Sequence, residues 1–217
     1  MDKTTSREYI ARRVAQELHD GDLVNLGIGI PTMVADFLPA GVNVTFHSEN
    51  GFVGIGPSPQ AGAEDPEIIN AGGQFVTILP GGAFFDSAVS FAIIRGGHLD
   101  VTVLGALQVD THGNLANWTV PGRRGPGMGG AMDLVTGARL VIVAMMHTTK
   151  DGRPKIVEDC TLLLTGAGVV DLIVTDLGVI KVAPEGLLVQ ELRSGVTMEE
   201  IEEKTTARLR FAGSVLR

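Results

Sequence analysis

The stretch that decides the fold is Val42-Asn43-Val44-Thr45-Phe46-His47-Ser48-Glu49-Asn50-Gly51. Its first six residues alternate between apolar and polar side chains, which is the period-two pattern of a half-buried β-strand. Asn50 and Gly51 then predict a turn, because both residue types tolerate a positive φ. Glu49 is therefore expected at the C-terminal end of a strand, where open α/β sheets bind their ligands.

The sequence before this strand alternates between helix and strand. Thr5-Ser6-Arg7-Glu8 fits a capping box, so a first helix is predicted to begin there and to end at Gly21. A short strand over residues 23–26 follows, and Pro31 is placed in the first turn of a second helix. The order α-β-α-β predicts an α/β fold with an open, mostly parallel sheet and helices on both faces.

The remaining sequence continues this pattern. A buried helix with Asp86 or Ser87 as its cap is predicted over residues 86–95, and a second capping box at Thr197 opens a final helix. The further strands are predicted over residues 74–79, 99–104, 139–145, 172–175 and 179–182. Loops of some length are expected only over residues 57–66 and 121–130. Because no repeat or linker divides the sequence, we expect one domain over residues 1–217.

The composition limits the classes of function. The chain has 17 basic and 25 acidic residues, a net charge of −8, and 5% aromatic residues. No nucleic acid is expected as a partner, since basic surface and stacking platforms are both lacking. No membrane is expected either, because no apolar run approaches roughly 18 residues and no targeting segment is visible. The single cysteine, Cys160, allows no internal disulfide, which favours a reducing, cytoplasmic location.

Glu49 can be interpreted in two ways. A carboxylate at a strand end with little charge nearby can act as a nucleophile or a proton carrier. Most glutamates instead face water and have no chemical role. Composition and pattern alone leave both interpretations open.

Two glycine-rich segments are the other candidates for a site. Gly27-Ile28-Gly29 lies between a predicted strand and a helix, but the third glycine of a dinucleotide-binding loop would fall at Thr32, so NAD binding is not expected. Gly127-Met128-Gly129-Gly130 precedes a helix start and can present consecutive N–H groups to an oxyanion. Turn glycines and a flexible surface loop are the structural alternatives.

A third segment, residues 113–118, contains Asn114, Asn117 and the only tryptophan. Amides beside a buried indole are usually turn and core residues. The five histidines show no i, i+4 pair and no Glu-x-x-His context, so no metal is expected.

Three of these motifs resemble the family I CoA-transferases. Ser-Glu-Asn-Gly at 48–51 is similar to the active-site signature, Asn-Leu-Gly-Ile-Gly-Ile-Pro at 25–31 to a second hallmark, and Gly-Met-Gly-Gly-Ala-Met-Asp-Leu at 127–134 to a third. The resemblance runs from about residue 7 to about residue 192. It is strongest to the B subunits of 3-oxoacid CoA-transferases, which use succinyl-CoA and acetoacetate, and implies a sheet related to ribose-5-phosphate isomerase.

The resemblance also implies roles for individual residues. Glu49 is the residue that is acylated and then forms a thioester with CoA. Gly129 and Gly130 lie against the thioester carbonyl, and Asn50, Gly27 and Gly29 are further oxyanion or substrate-binding candidates. Asn114 and Asn117 belong to a substrate-adjacent region of lower rank. CoA and acyl-CoA are substrates, and no permanently bound cofactor or metal is implied.

The same resemblance implies a partner. An A subunit on a separate chain would complete an A2B2 heterotetramer. Within the family, 3-oxoadipate is an alternative acid. From a different class, a sugar-phosphate isomerase or a non-catalytic regulatory subunit of the same fold remain alternatives, although an isomerase would not need Ser-Glu-Asn-Gly at this position.

Overall fold

The computed structural model describes residues 3–120, 122 and 127–216, so half of the loop predicted over 121–130 lies outside the described residues. The helices in the described ranges are α1 (Lys3–Ala15), a 3-10 helix (Pro31–Phe37), α2 (Ser87–Arg95), α3 (Ala131–Gly137) and α4 (Met198–Glu203). The strands are β1 (Leu23–Leu26), β2 (Thr45–Ser48), β3 (Phe52–Ile55), β4 (Ile78–Phe84), β5 (Val101–Leu104), β6 (Gln108–Asp110), β7 (Leu115–Ala116), β8 (Leu140–Ala144), β9 (Ile156–Val157), β10 (Leu172–Val174), β11 (Gly178–Ala183), β12 (Gly186–Leu192) and β13 (Leu209–Leu216). No helix within these ranges is long and apolar enough to span a bilayer.

Ten strands form one sheet in the order β13-β12-β11-β10-β8-β5-β1-β2-β3-β4, and β7-β6-β9 form a small second sheet. The neighbours from β10 to β2 are all parallel. Antiparallel strands extend this parallel centre on both sides, β3 and β4 beyond β2, and β11 and β12 beyond β10. The predicted open, mostly parallel α/β sheet is confirmed.

Strand β8 shows how the two faces of the sheet are covered. Val141 and Val143 belong to the apolar cluster that includes residues of α2, α3 and α4. Ile142 and Ala144 belong to the cluster that includes residues of α1 and the 3-10 helix. This alternation follows from the opposite directions of successive side chains along a strand. The prediction of helices on both faces is therefore confirmed.

The chain order creates a crevice beside β1. From β1 the chain crosses to β2 on one side, and it later returns to β5 on the other side of β1. All three strands run in parallel, so their C-terminal ends lie at one edge. Loops that diverge from such a switch point leave room for a ligand. Glu49, which follows β2, and Gly27, which follows β1, both lie at this edge.

Several predicted boundaries need correction at the N-terminal end. Helix α1 already includes the predicted capping box and ends at Ala15 rather than Gly21. Gly21 instead adopts a φ of 88° and donates its N–H to the Asn43 carbonyl oxygen at 2.8 Å, so it turns the chain into β1. The second predicted helix is a 3-10 helix, with Pro31 at its start as expected.

The prediction of a strand over residues 74–79 is wrong in position, because β4 covers Ile78–Phe84 and includes Pro80-Gly81-Gly82. Proline and glycine argue against a central strand, but β4 lies at the sheet edge, where a missing N–H disrupts no ladder. The structure selects Asp86 as the cap of α2 and confirms the cap at Thr197, since each side chain accepts a backbone N–H of the first turn. The prediction that the helix is buried is wrong, because only Ser90 and Ile94 of α2 are buried. The predicted strands at 23–26, 99–104, 139–145, 172–175 and 179–182 correspond to β1, β5, β8, β10 and β11.

Candidate active site

Glu49 lies in a tight turn between β2 and β3. The Gly51 N–H donates to the Ser48 carbonyl oxygen at 3.0 Å, and the Gly51 carbonyl oxygen accepts the Phe85 N–H at 2.8 Å. Gly51 has a φ of 131°, and a methyl group there would collide with the Phe85 carbonyl oxygen. Glycine is therefore required by both conformation and space. The turn holds the half-buried Glu49 side chain on a rigid part of the sheet.

Asn25 contacts the Glu49 carboxylate directly. The Asn25 Nδ2 group donates to Glu49 Oε2 at 3.1 Å, and the same group lies 3.2 Å from the His47 carbonyl oxygen. Asn25 and His47 are cross-strand partners in β1 and β2, so the register between these strands brings the amide under the carboxylate. Asn25 begins the motif over residues 25–31, but only Gly27 and Gly29 of that motif were predicted as site residues. A polar residue inside an otherwise apolar strand was the signal that could have identified it.

His47 is buried beside Asn25. Its Nε2 atom lies 2.9 Å from Ser90 Oγ in α2, and its Nδ1 atom lies 3.3 Å from Asn25 Nδ2. Burial lowers the pKa of His47, and the negative charge of Glu49 only partly opposes this effect. The imidazole is therefore neutral at neutral pH.

A cavity of about 790 Å3 opens in front of Glu49. Ser48, Gly27 and Asn70 are among the residues that line it together with Glu49. Asn50 does not line it: its side-chain amide donates to the Ile69 carbonyl oxygen at 2.8 Å and so fastens the neighbouring loop. The volume lies in the range of small-molecule sites.

The loop after β1 brings two glycines to the same edge. Gly27 donates its N–H to the Val103 carbonyl oxygen at 2.8 Å, and a Cβ atom there would lie 2.9 Å from a Leu104 methyl carbon. Close approach to β5 therefore explains this glycine by packing alone. Gly29 has a φ of 97°, and its carbonyl oxygen accepts the Thr32 hydroxyl at 2.8 Å.

The glycine-rich segment before α3 lies against Glu49. A Cβ atom on Gly130 would be 3.2 Å from Phe91 Cζ and 3.5 Å from Glu49 Cγ. Gly129 has a φ of 56° and open space around its Cα atom. The structure therefore brings Gly130 next to Glu49.

Asn114 and Asn117 lie elsewhere, around the small sheet, and neither lines the cavity. Asn114 Nδ2 donates to the buried Asp110 carboxylate at 2.8 Å, and Asn117 Oδ1 accepts the Thr165 hydroxyl at 2.6 Å. Burial opposes ionisation of Asp110, but hydrogen bonds from Cys160, Asn114 and His112 outweigh it and lower the pKa. Burial and Asp110 raise the pKa of the Cys160 thiol to about 12, so the thiol is a poor nucleophile.

Known structures share the fold of this chain. An acyl-CoA transferase, YdiF of Escherichia coli O157:H7 in its apoenzyme form, superposes with a TM-score of 0.76 at 22% identity over 97% of this chain. The match spans 42% of that longer protein. An open α/β sheet of the CoA-transferase type is thereby established.

Sequence comparison gives the family. A profile of the coenzyme A transferase family matches residues 7–204. The beta subunit of the acetate CoA-transferase of Escherichia coli K12 is 54% identical over 210 residues, covering 97% of this chain and 96% of that protein. The chain belongs to the coenzyme A transferase family, which confirms the resemblance inferred from its motifs.

Two further relatives carry different substrate names. The B subunit of the probable succinyl-CoA:3-ketoacid coenzyme A transferase of Bacillus subtilis 168 is 49% identical over 211 residues, covering 97% of this chain and 98% of that protein. The B subunit of the 3-oxoadipate CoA-transferase of Acinetobacter baylyi is 52% identical over 205 residues, covering 94% of both chains. These relatives are named as beta or B subunits.

Proposed function

We propose that this chain is the B subunit of a 3-oxoacid CoA-transferase, which moves CoA from succinyl-CoA to acetoacetate through a covalent glutamyl-CoA thioester on Glu49. The observation that carries the proposal is the position of Glu49. Its carboxylate lies at the C-terminal edge of the parallel sheet, faces a cavity, and has one oxygen held by Asn25. This geometry presents a carboxylate to a substrate in a defined orientation, as nucleophilic catalysis requires.

The proposed reaction consists of acyl transfers at carbonyl carbons. The Glu49 carboxylate attacks the thioester carbon of succinyl-CoA, which forms a mixed anhydride and expels CoA thiolate. The thiolate then attacks the Glu49 carbonyl carbon, succinate leaves with the bridging oxygen, and the glutamyl-CoA thioester remains. Acetoacetate reverses both steps, which yields acetoacetyl-CoA and the free Glu49 carboxylate. CoA enters and leaves as part of a substrate, so the steps call for no permanently bound cofactor.

The tetrahedral intermediates need hydrogen-bond donors for their oxyanions. We propose the backbone N–H groups of Gly129 and Gly130 for this role, because Gly130 packs against the Glu49 side chain. Asn25 Nδ2 supplies a donor at Glu49 Oε2, the oxygen left on the thioester when Oε1 leaves with the product. Gly27 would contribute to substrate binding through the cavity wall.

The Gly130→Ala variant should lose turnover rather than stability. Its φ of −81° suits alanine, but the methyl group would press on Phe91 and Glu49. We expect kcat to fall by at least about tenfold, and the free energy of unfolding to change by less than about 1 kcal/mol. The matched variant Gly129→Ala has space but a positive φ, so it should cost about 1 kcal/mol of stability. Steady-state kinetics and thermal unfolding of both variants test this. Normal specific activity in a poorly folded Gly130→Ala protein would show a structural role.

The partner in the proposal is an A subunit, with two copies of each chain in the assembly. The beta and B designations of the relatives support a separate partner chain. The surface supports it as well: of nine large apolar side chains that are exposed in the described part of the chain, five lie in residues 68–108. That segment contains only three charged residues, Asp86, Arg95 and Asp100. Apolar surface of this kind marks interfaces.

The choice of acid is tested with the assembled enzyme. Succinyl-CoA is offered with acetoacetate, 3-oxoadipate or acetate, and each acyl-CoA product is quantified by chromatography. We expect the highest kcat/KM with acetoacetate. A preference for 3-oxoadipate or acetate would reassign the acid within the family, because pocket contacts set such preferences. Failure with every acid and several CoA donors would favour the alternative of a regulatory subunit.

A further inference from the structure

A chain of buried polar side chains lies beneath Glu49. Ser90, His47 and Asn25 are 0%, 1% and 1% exposed. They connect in order: Ser90 Oγ lies 2.9 Å from His47 Nε2, and His47 Nδ1 lies 3.3 Å from Asn25 Nδ2. Asn25 Nδ2 then donates to Glu49 Oε2 at 3.1 Å. Helix α2 is thus linked to the carboxylate by three side chains from three different elements.

The partners fix the orientation of the Asn25 amide. Its Nδ2 group meets the His47 carbonyl oxygen and Glu49 Oε2, and both of these atoms can only accept. The NH2 group must therefore point towards them. His47 Nδ1 faces the same NH2 group, so it carries a lone pair, and the ring hydrogen is on Nε2. Ser90 Oγ can accept that hydrogen, so the hydroxyl satisfies the tautomer of His47 that the Asn25 amide requires.

The amide is retained at a cost. Among the described residues, Asn25 Oδ1 is buried and has no hydrogen-bond partner. A buried polar atom without a partner destabilises the fold, and an apolar side chain in β1 would avoid that cost. We therefore attribute the presence of an amide at position 25 to its Nδ2 donor, which binds the Glu49 carboxylate.

We propose that His47 and Ser90 are positioning residues, which hold the Asn25 amide with its donor towards Glu49 and thereby fix the carboxylate for attack. The inference rests on the proposed role of Glu49 as nucleophile. Neither His47 nor Ser90 contacts Glu49 through a side-chain hydrogen bond among the described residues. Both act through Asn25.

Ser90→Ala tests the far end of this chain with the smallest change. Without the Ser90 hydroxyl, His47 loses the acceptor for its Nε2 hydrogen, and the other tautomer becomes competitive. That tautomer points an Nδ1 hydrogen at the Asn25 NH2 group, which repels the amide and displaces its donor from the carboxylate. We expect the rate of thioester formation to fall about tenfold, with KM for acyl-CoA unchanged within about twofold. His47→Leu should show a larger fall of the same kind.

The experiment uses this chain co-expressed with its A subunit. Single-turnover and steady-state kinetics are compared for wild type, Ser90→Ala, Ser90→Thr and Ser87→Ala. Ser87 is exposed and lies one turn earlier in α2, so its variant controls for helix effects. Ser90→Thr retains the hydroxyl and should restore most of the rate. Thermal unfolding and borohydride trapping of the Glu49 thioester accompany each sample.

Each outcome decides one point. A kcat in Ser90→Ala equal to that in Ser87→Ala, with Glu49 labelled in wild type, would overturn the inference and leave the proposed function intact. A loss of kcat that follows only loss of folded protein, or parallel changes in kcat and KM, would also overturn it. A wild-type enzyme that is active but never labelled at Glu49 would overturn the proposed function, and the inference with it.

Discussion

Glu49→Gln in the assembled enzyme should reduce transfer of CoA by on the order of 10⁴-fold or more, because the amide cannot form the anhydride or regenerate a carboxylate. Glu49→Asp should lose about a hundredfold, since removal of one methylene retracts the carboxylate by roughly 1.5 Å from the attacking position. The shorter side chain would also no longer reach Asn25. Rates of acetoacetyl-CoA formation measure both effects.

Chemical trapping identifies the nucleophile independently of these rates. Wild-type enzyme is incubated with acyl-CoA, reduced with borohydride and digested, and the modified residue is located by peptide mass. We expect the modification at Glu49 and at no other acid. Glu67→Gln, an exposed glutamate on the loop before β4, is the matched control and should keep full activity. Reduction of another carboxylate would refute the assignment.

The second large effect concerns assembly. Purified alone, this chain should show no acetoacetate-dependent loss of succinyl-CoA, and co-expression with its A subunit should restore the activity. The apolar surface of residues 68–108, which includes Phe84 at 62% exposure, is the surface that we expect the A subunit to cover. Each large apolar side chain that becomes buried contributes about 1.5–3 kcal/mol. A single chain with full activity would contradict the two-subunit proposal.

Substitutions on this surface make the prediction specific. Phe84→Glu and Val89→Glu should each weaken the association of the two subunits by at least about tenfold, because each variant replaces buried apolar area with a charge that must be desolvated in the interface. Leu163 is 63% exposed and lies outside residues 68–108, so Leu163→Glu is the matched control. Analytical ultracentrifugation of co-purified chains measures the association, and circular dichroism checks the fold. Equal weakening by all three variants would show that the surface has no special role.

Features that depend only on neighbouring residues, such as turns and helix caps, could be predicted from the sequence. The turn at Gly51 follows from an Asn-Gly pair and lies where it was expected. The strand before Glu49 was predicted from alternation over residues 42–47, but β2 begins only at Thr45, and Phe46, His47 and Ser48 are all buried. The caps at Asp86 and Thr197 are similarly local. The position of β4 was predicted wrongly because the strand contains Pro80 and two glycines. A strand tolerates these residues at the edge of a sheet, and the position of a strand in the sheet depends on the whole fold.

The contacts around Glu49 could not be predicted in this way. Asn25 reaches the carboxylate only because β1 and β2 pair in a particular register, and Ser90 reaches His47 only because α2 packs on that face. These contacts join residues 24 to 43 positions apart in the sequence. Asn114 was predicted as a substrate-adjacent residue from its motif, but its side-chain amide donates to the buried Asp110 carboxylate.

One segment would serve both the proposed interface and the proposed reaction. Phe85 clamps the turn that carries Glu49, its ring stacks on His47 with centroids 6.3 Å apart, and Ser90 follows one turn into α2. Two exposed apolar residues of the proposed interface belong to the same stretch, since Phe84 directly precedes Phe85 and Val89 directly precedes Ser90. Docking of a partner would therefore restrict the conformational freedom of the nucleophile's own support. Subunit assembly would then reinforce, from the side of the partner, a glutamate that this chain already holds through Asn25.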